Sequence, residues 1–510
     1  MSDTFLARFN ASKAPLVLEN YIDGQFRASQ ASTFTDVHDP ATQQVISKTP
    51  QSTPEELRAA TDSAHAAFLE WRKSSVLARQ QILFKYSQLL REHQSDIASV
   101  IVKENGKTHP DAMGDVLRGI QVVEHATGVP QLLKGDLLEV SRDMDTYSRR
   151  TPLGVGAAIC AFNFPAMIPL WSIPMAISTG NTLLLKPSER VPSASLVLAE
   201  LATQAGLPKG ALNVIHGGPD TVNFICDEPL IKNVTFVGGD KAGRHIWTRA
   251  GANGKRVQSN MGAKNHAVFL PDANKNHALN SLAGAAFGAA GQRCMAISVL
   301  VTVGNTDTWL SDLVERAQKL NVNEGNVQGA DLGPVISPAA KQRIEGLIAS
   351  AEKEGGKILL DGRGHKVDGY PDGNWVGPTV IEATTDMTCY KEEIFGPVLI
   401  VVKAQDLDEA LSIIDKNPYG NGTAVFTNSG AAARRFEREV EAGQIGINVP
   451  IPVPIPPFAW SGSHASILGG HSLYGQGGLD FWTQHKTVTS LWRHADAVTT
   501  TADVAMPTHR

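Results

Sequence analysis

The most reactive atom this sequence offers is a thiol. Cys294 stands in G-Q-R-C-M-A, directly after a run of small residues, A-G-A-A-F-G-A-A at 283–290. Small side chains let backbones approach closely and leave room for a ligand beside the sulfur. A thiolate there can add to an aldehyde to give a hemithioacetal, which can lose hydride and leave a thioester. The adjacent Arg293 can favour the thiolate by its charge. A free cysteine taken without context is more often a small core hydrophobe, and that reading is kept for Cys160, Cys226 and Cys389. Asn163, in A-F-N-F-P, lies just past an apolar run and before a Phe-Pro break. Its amide can donate to the oxyanion that forms when a thiolate adds to a carbonyl, although an asparagine here also suits a plain turn.

A second group of residues has the types and places needed for a dinucleotide. No G-x-G-x-x-G follows a strand, so the usual fingerprint is absent. Gly238-Gly239-Asp240-Lys241-Ala242-Gly243 does follow the apolar run 234–237 and opens a helical stretch. Glycines there let backbone N–H groups and a helix N-terminus face a phosphate. Arg244 and His245 follow instead of Lys and Ser or Thr, so this is not a Walker loop. Lys186 and Glu189 sit just past the run 182–185, at the carboxyl edge where doubly wound sheets bind cofactors. No metal site is expected.

These residues need a scaffold, and the chain of 510 residues is long enough for two or three domains. Apolar residues make up 42% and charged residues 19%, ordinary for a globular protein. A net charge of −5 without runs of Lys or Arg gives no surface for nucleic acid. The richest apolar stretch, 165–178, is short and carries Pro169 and Pro174, so no membrane span is expected. The early charges Asp3, Arg8, Lys13 and Glu19 argue against a secretory signal, and the early acid weakens a transit-peptide reading. Four cysteines do not make a disulfide framework, and a free nucleophilic thiol fits a reducing cytosol. The expected location is therefore cytoplasmic.

Thr53, Pro54 and Glu56 form a capping box with proline at the first helical position. Two amphipathic helices are expected from there to about Val102, and another over 111–126. Short apolar runs at 157–161, 182–185, 212–216 and 234–237 read as buried strands, with helices over 193–205 and 240–250. Strand and helix in alternation imply a parallel, doubly wound sheet. A second α/β segment runs from about Asn265 to Ala424, with helices over 273–290, 306–320 and 338–354. The run V-P-I-P-V-P-I-P-P at 449–457 can form neither helix nor central strand and reads as a stiff extended connector. The charged, β-leaning stretch 135–150 suits a hairpin, 479–492 regains strand character, and 496–510 reads as a tail.

N-F-P at Asn163, K-P-S-E at Lys186, G-Q-R-C at Cys294, E-E-I-F-G-P at Glu392 and N-P-Y-G-N-G at Asn417 occur in one order along the chain. In that order the sequence resembles the aldehyde dehydrogenase superfamily over essentially its whole length. The resemblance implies an α/β fold with a Rossmann-type cofactor domain (1–134 and 151–262) and an α/β catalytic domain (263–460). It adds a small β oligomerisation element (135–150 and 479–495) that pairs subunits into homodimers or homotetramers. It also implies Cys294 as nucleophile, Asn163 as oxyanion donor, and Lys186 and Glu189 on the adenosine ribose. Glu393 would hold the nicotinamide ribose, with Phe162, Phe395 and Gly239 completing the cofactor site. An acid at Glu189 would repel the extra phosphate of NADP, so NAD is expected.

Hydrolytic members carry a glutamate in E-L-G-G-K that activates water. This sequence reads Asn260-Met261-Gly262-Ala263-Lys264 at that place. An amide cannot act as a general base, whereas a thiol is nucleophilic without one. Coenzyme A is therefore the expected acyl acceptor. N-M-G-A-K-N-H, A-F-G-A-A-G-Q-R-C-M-A and N-V-P-I-P-V-P resemble the CoA-acylating methylmalonate-semialdehyde branch. That branch implies a carboxylated semialdehyde, decarboxylation to propionyl-CoA or acetyl-CoA, and Arg118 and Arg293 as carboxylate ligands. Two departures stand out: Asp240 in the phosphate turn, and S-G-S-H-A-S-I-L-G-G-H-S at 461–472, near the expected substrate mouth. A hydrolytic dehydrogenase of another aldehyde and a catalytically silent scaffold remain the competing readings.

Overall fold

The computed structural model describes residues 4–470, 472–493 and 504; the expected tail at 496–510 lies outside the described residues except for Val504. Valine, isoleucine and leucine crowd the short apolar runs, and these form the central strands of two sheets. In the eight-stranded sheet, Arg256–Asn260, Ile231–Val237, Val155–Ile159, Thr182–Lys186 and Leu212–Val214 lie side by side and parallel. Asn20–Ile22 and Ile467–Leu468 flank them antiparallel. The chain runs outward from Val155–Ile159 in one direction and then returns to build in the other. The switch point therefore falls between Val155–Ile159 and Ile231–Val237, where open sheets leave a crevice at the strands' carboxyl ends.

The seven-stranded sheet places Thr379–Glu382, Val398–Ala404, Ile297–Val303, Asn265–Phe269, Gly422–Phe426 and Gln444–Ile447 parallel, with Lys357–Leu360 antiparallel at its edge. Separate hydrophobic clusters fill its two faces. Both sheets are covered, as near-continuous apolar strands require.

Helix Met167–Thr179 is buried at every one of its 13 residues. It crosses helix His109–Ala126 so closely that a Cβ on Gly119 would lie 2.5 Å from Leu170 Cδ1. Among the described residues no helix is long and apolar enough to cross a membrane.

The capping box at Thr53 and Glu56 is present at the start of helix Pro54–Trp71. Three helices, not two, reach the region of Val102: Pro54–Trp71, Val76–Glu92 and Gln94–Asn105. His93 closes the second and opens the third, a break that hides within a continuous apolar period. The stretch expected as strand from Leu479 begins as helix Gly475–Trp482 and becomes strand only at Thr483–Leu491. Leu479, Phe481 and Trp482 are fully buried, and a short buried run looks alike in helix and strand.

That strand pairs antiparallel with Met144–Pro152, which forms a hairpin with Leu137–Ser141. The resulting three-stranded sheet leaves Leu137, Leu138, Leu491 and Trp492 exposed. Residues 449–457 form no helix or strand, as their prolines dictate.

The helix expected over 273–290 stops at Phe287. Gly288–Gly291 continues as a tight turn in which Ala289 and Ala290 have φ of 51° and 53°. Left-handed alanines are strained and survive only where neighbours fix them. Here the neighbour is Gly291, whose added Cβ would meet the Gly396 carbonyl oxygen at 2.0 Å.

Glu104 ties helix Gln94–Asn105 to the first turn of helix Ser193–Gln204. Its carboxylate accepts from the Ser193 N–H at 3.0 Å and the Ser193 hydroxyl at 2.6 Å. Burial nevertheless pushes this carboxyl up to about 7. Between the ordinary glutamate range and neutrality, the folded chain then holds a proton that the unfolded chain has released. Stability contributed by this group therefore falls as pH rises from about 4.5 to about 7. We expect Glu104→Gln to remove this slope, a differential on the order of 3 kcal/mol across the window. Urea unfolding of both proteins at several pH values checks it; parallel profiles would refute it.

Candidate active site

Cys294 follows the strained turn and precedes strand Ile297–Val303. Two asparagine amides fix its position. Asn265 Nδ2 donates to the carbonyl oxygens of Cys294 at 2.8 Å and Ala296 at 2.9 Å, and its Oδ1 accepts from the Gly422 N–H at 3.1 Å. Asn421 Nδ2 donates to the Cys294 carbonyl at 3.0 Å and contacts Met295 Sδ at the same distance. Cys294, Arg293, Glu393 and Phe395 line one cavity.

Burial, reinforced by the charge of Glu393, pushes the Cys294 thiol up to about 12. Backbone N–H groups of Cys294 and Met295, and then Arg293, act against that rise. Arg293 is the last of these opposing groups, and its guanidinium also pairs with Asp111. Its charge acts on the thiol in the expected direction and is outweighed by burial. Cys160 and Cys226 are buried thiols pushed up to about 12 and 11, mainly by desolvation, and Cys389 is also raised.

Asn163 is buried beside the switch point, and its side-chain amide has no hydrogen-bond partner among the described residues. Its backbone is anchored by Lys107, whose ammonium donates to the Asn163 carbonyl at 2.7 Å and to Asp115 Oδ2 at 3.2 Å. The same ammonium lies 4.3 Å from the centre of the Phe164 ring. Asp115 Oδ1 accepts from the Met167 N–H at 2.7 Å. Asn105 Nδ2 holds the Phe162 carbonyl at 2.9 Å. The loop carrying Phe162 and Asn163 is thus fixed on both sides by side chains that sequence reading did not single out. Lys107 and Asp115 left no distinct trace, because Lys103, Glu104, His109, Asp111 and Arg118 surround them with residues of the same kind.

At the crevice, Lys186 is buried at the end of its strand, 3.6 Å from Glu189. Burial lowers the Lys186 ammonium while Glu189 raises it. Helix Asp240–Ala252 starts at Gly239 with no side-chain cap, and a Cβ on Gly239 would meet nothing within 4 Å. Open backbone at an uncapped helix N-terminus suits a phosphate.

Asp240 does not spoil that site. Its Oδ1 accepts from the Gly262 N–H at 2.7 Å, and its Oδ2 from the Tyr419 hydroxyl at 2.5 Å. Glu393 Oε1 accepts from the Ala263 N–H at 2.9 Å, and burial pushes its carboxyl up to about 7. Phe162 and Phe395 meet edge to face at 5.8 Å. The residues present therefore fit a dinucleotide laid from Lys186 and Glu189 across Gly239 to Glu393.

The two arginines expected together are held separately. Arg118 Nη2 donates to the Val453 carbonyl at 3.2 Å and its Nη1 to Gln121 at 3.3 Å. It shares a small cleft with Trp171, Pro454 and Tyr474, and Tyr474 is within electrostatic reach of both Arg118 and Cys294. The departing stretch 461–472 lies against the sheet edge: Ile467 pairs with Asn260, and Ser466 bonds the backbone of Met261 and Gly420.

The aldehyde dehydrogenase family model matches residues 26–488. A Drosophila melanogaster protein assigned as a mitochondrial acylating methylmalonate-semialdehyde/malonate-semialdehyde dehydrogenase is 58% identical over 99% of this chain and 97% of its own. The Homo sapiens protein of the same name, also mitochondrial, is 53% identical over 99% and 95%. A Sinorhizobium meliloti structure assigned as methylmalonate-semialdehyde dehydrogenase and complexed with NAD superposes with a TM-score of 0.94. It is 41% identical and covers 95% of this chain and 99% of its own.

The mitochondrial relatives overturn the expected cytoplasmic location. The physical error is plain: ordinary composition and free thiols suit any compartment that keeps thiols reduced, not the cytosol alone.

Because Lys107 and Asp115 are both inaccessible, removing one charge strands the other. Lys107→Met should destabilise the fold by about 3–5 kcal/mol, and Lys107→Met with Asp115→Leu should recover most of that. Chemical denaturation tests the pair; equal losses in single and double variants would contradict it.

Proposed function

This chain belongs to the aldehyde dehydrogenase family, and from that premise we propose the chemistry its residues carry out. It oxidises methylmalonate semialdehyde or malonate semialdehyde with NAD and transfers the acyl group to coenzyme A, in line with its relatives. The observation that carries the choice of a thiol acceptor is Asn260, an amide where hydrolytic members place the carboxylate that activates water. Asn260 is buried, and its side-chain nitrogen has no partner among the described residues. Without proton affinity at that position, a thioester on Cys294 outlasts water and waits for a thiol.

In this proposal the Asn163 amide and the Cys294 backbone N–H polarise the aldehyde oxygen, and the Cys294 sulfur adds to the carbonyl carbon. Lys186, Glu189, Gly239, Glu393, Phe162 and Phe395 hold NAD, which when bound supplies the hydride acceptor. Arg118 and Arg293 take the substrate carboxylate as charge-assisted hydrogen-bond donors. Once the acyl group is on sulfur, that carboxylate is β to a thioester carbonyl. The bond to the carboxylate carbon can break to release carbon dioxide, the electron pair passing into an enolate that a proton quenches at carbon. The thiol of coenzyme A then displaces the acyl group from Cys294. The exposed apolar side chains of the three-stranded sheet support pairing of subunits into a dimer or tetramer.

Glu393 favours one second reading. It is an acid on the Cys294 cavity wall, held near neutrality, and such a group can serve as a general base for water. Its Oε1 is committed to the Ala263 N–H, and the cofactor ribose would engage the rest.

The two readings part on turnover. With NAD and malonate semialdehyde we expect one burst of NADH per site without coenzyme A and steady turnover with it. Sustained turnover without the thiol would assign Glu393 the base role and sink the proposal. Arg118→Leu should raise KM for the carboxylated semialdehyde by roughly tenfold to a hundredfold, from the loss of a charge-assisted contact. It should leave KM for propanal nearly unchanged, and equal effects would remove the carboxylate anchor.

A further inference from the structure

Asp240 opens helix Asp240–Ala252, at the place proposed for the cofactor's pyrophosphate. A carboxylate there has a natural alternative. The first turn of a helix carries backbone N–H groups with no partner inside the helix, and an acid in that turn is favoured by the dipole. Left free, the Asp240 side chain would compete for the anion-binding end of the helix and repel a second anion at close range. It is not free. Two donors from outside the helix take one oxygen each, the Gly262 N–H at 2.7 Å and the Tyr419 hydroxyl at 2.5 Å. Among the described residues neither oxygen bonds an N–H of its own helix.

One residue registers both donors. Gly262 lies in the link between strand Arg256–Asn260 of the first sheet and strand Asn265–Phe269 of the second. Tyr419 lies in the short strand Tyr419–Gly420, which pairs antiparallel with Ser463–His464. Just beyond that pair, the Ser466 carbonyl accepts from the Met261 N–H at 2.9 Å and its hydroxyl from the Gly420 N–H at 3.2 Å. Each donor to Asp240 is thus next in sequence to a contact with Ser466. Asn417 Oδ1 also holds the Tyr419 backbone N–H at 3.1 Å. A Cβ on Gly262 would stand 2.7 Å from Asp240 Oδ1, 3.1 Å from Glu393 Oε2 and 3.2 Å from Tyr419 Cε1, so three side chains converge on a residue that has none. Burial, and then the bond to Asp240, hold the Tyr419 hydroxyl in its protonated, donating form. The two departures noted in the sequence, Asp240 and the stretch 461–472, therefore meet through Tyr419.

We infer that Tyr419 is a positioning residue for the cofactor: its hydroxyl holds the Asp240 carboxylate aside from the N-terminus of helix Asp240–Ala252 and leaves the backbone there open to a pyrophosphate. The inference rests on the proposed course of NAD across Gly239. It adds that an acid in this turn is compatible with a dinucleotide only while a tyrosine from outside the helix claims it. Through Tyr419, the stretch 461–472 bears on the cofactor as well as on the sheet edge.

Calorimetric titration with NAD, and with ADP as its competitor, tests this without turnover; ADP keeps the diphosphate and lacks the nicotinamide riboside. Tyr419→Phe should weaken both ligands by about threefold to tenfold, less than the full worth of a charge-assisted hydrogen bond because Gly262 still holds one oxygen. Asp240→Asn should weaken neither. Tyr419→Phe with Asp240→Asn should bind like Asp240→Asn alone, since no charge is left to misplace. An unchanged affinity in Tyr419→Phe, or the same loss with and without Asp240→Asn, would overturn the inference. Loss of NAD without loss of ADP would move the action of Tyr419 to Glu393 and overturn it too. So would weaker binding in Asp240→Asn alone, a measurement that stands even if Tyr419→Phe does not fold. Failure of the underlying reading looks different: Gly239→Val, whose Cβ would meet nothing within 4 Å, would then leave both affinities untouched, whatever Tyr419→Phe shows.

Discussion

A buried ammonium must be matched on all sides or leave the interior, and Lys107 meets that condition in one way only. Its three directions are filled by a carboxylate, a backbone carbonyl and an aromatic face. The carboxylate belongs to helix His109–Ala126, and the carbonyl and ring belong to the loop after strand Val155–Ile159. One charge thereby locks the loop carrying Asn163 and Phe164 to the helix that carries Asp111 and Arg118. Burial pushes the Asp115 carboxyl up while Lys107 pulls it down, so the pair holds as ions only in each other's presence. Such a pair adds little net stability but tolerates one geometry, which is what a hydrogen-bond donor aimed at a transient oxyanion requires.

Cys294 is positioned by neutral groups instead. Asn265 at the start of strand Asn265–Phe269 and Asn421 just before strand Gly422–Phe426 converge on the Cys294 carbonyl. Amides supply direction without a net charge that would perturb the sulfur. Charge enters the cavity from its rim, through Glu393 on one side and Arg293 on the other. The arrangement separates two tasks: amides and backbone fix where the sulfur is, and ionisable groups at the rim set how readily it ionises.

Much of this was legible in the residues. The capping box, the parallel strands, the proline connector and the hairpin follow local rules of period and turn chemistry, and five motif blocks in order pointed to the family. What was not legible depends on long-range contact. The Lys107–Asp115 pair looks like any two helix charges until the Asn163 loop closes over it. Arg293 reads as a free cation beside a thiol because its partner is 182 residues away. Asp240 reads as a misplaced acid in a phosphate turn because nothing local reveals that Gly262 and Tyr419 claim it. The helix over Leu479–Trp482 was mistaken for strand because three large buried residues erase the period that would distinguish them.

The acidity of the sulfur also bears on how the acyl group leaves. In exchange between thiols, the group with the lower pKa departs faster. An ordinary thiol ionises near 8.5, whereas the Cys294 thiol is pushed up to about 12 by burial, with the charge of Glu393 adding to the rise. Left so, Cys294 would be a poorer leaving group than an ordinary attacking thiol, and an acyl group on it would stay there. Transfer therefore demands that the departing sulfur regain stabilisation as a thiolate. The backbone N–H groups of Cys294 and Met295 and the guanidinium of Arg293 are the groups that oppose the rise. The features that help the sulfur attack are thus required again to let it go, because both steps pass through the same anion. A site that exchanges thiols needs positive charge within reach of that sulfur in both halves of the reaction, and Arg293, which lowers the Cys294 thiol in this structure, is a group that can supply it.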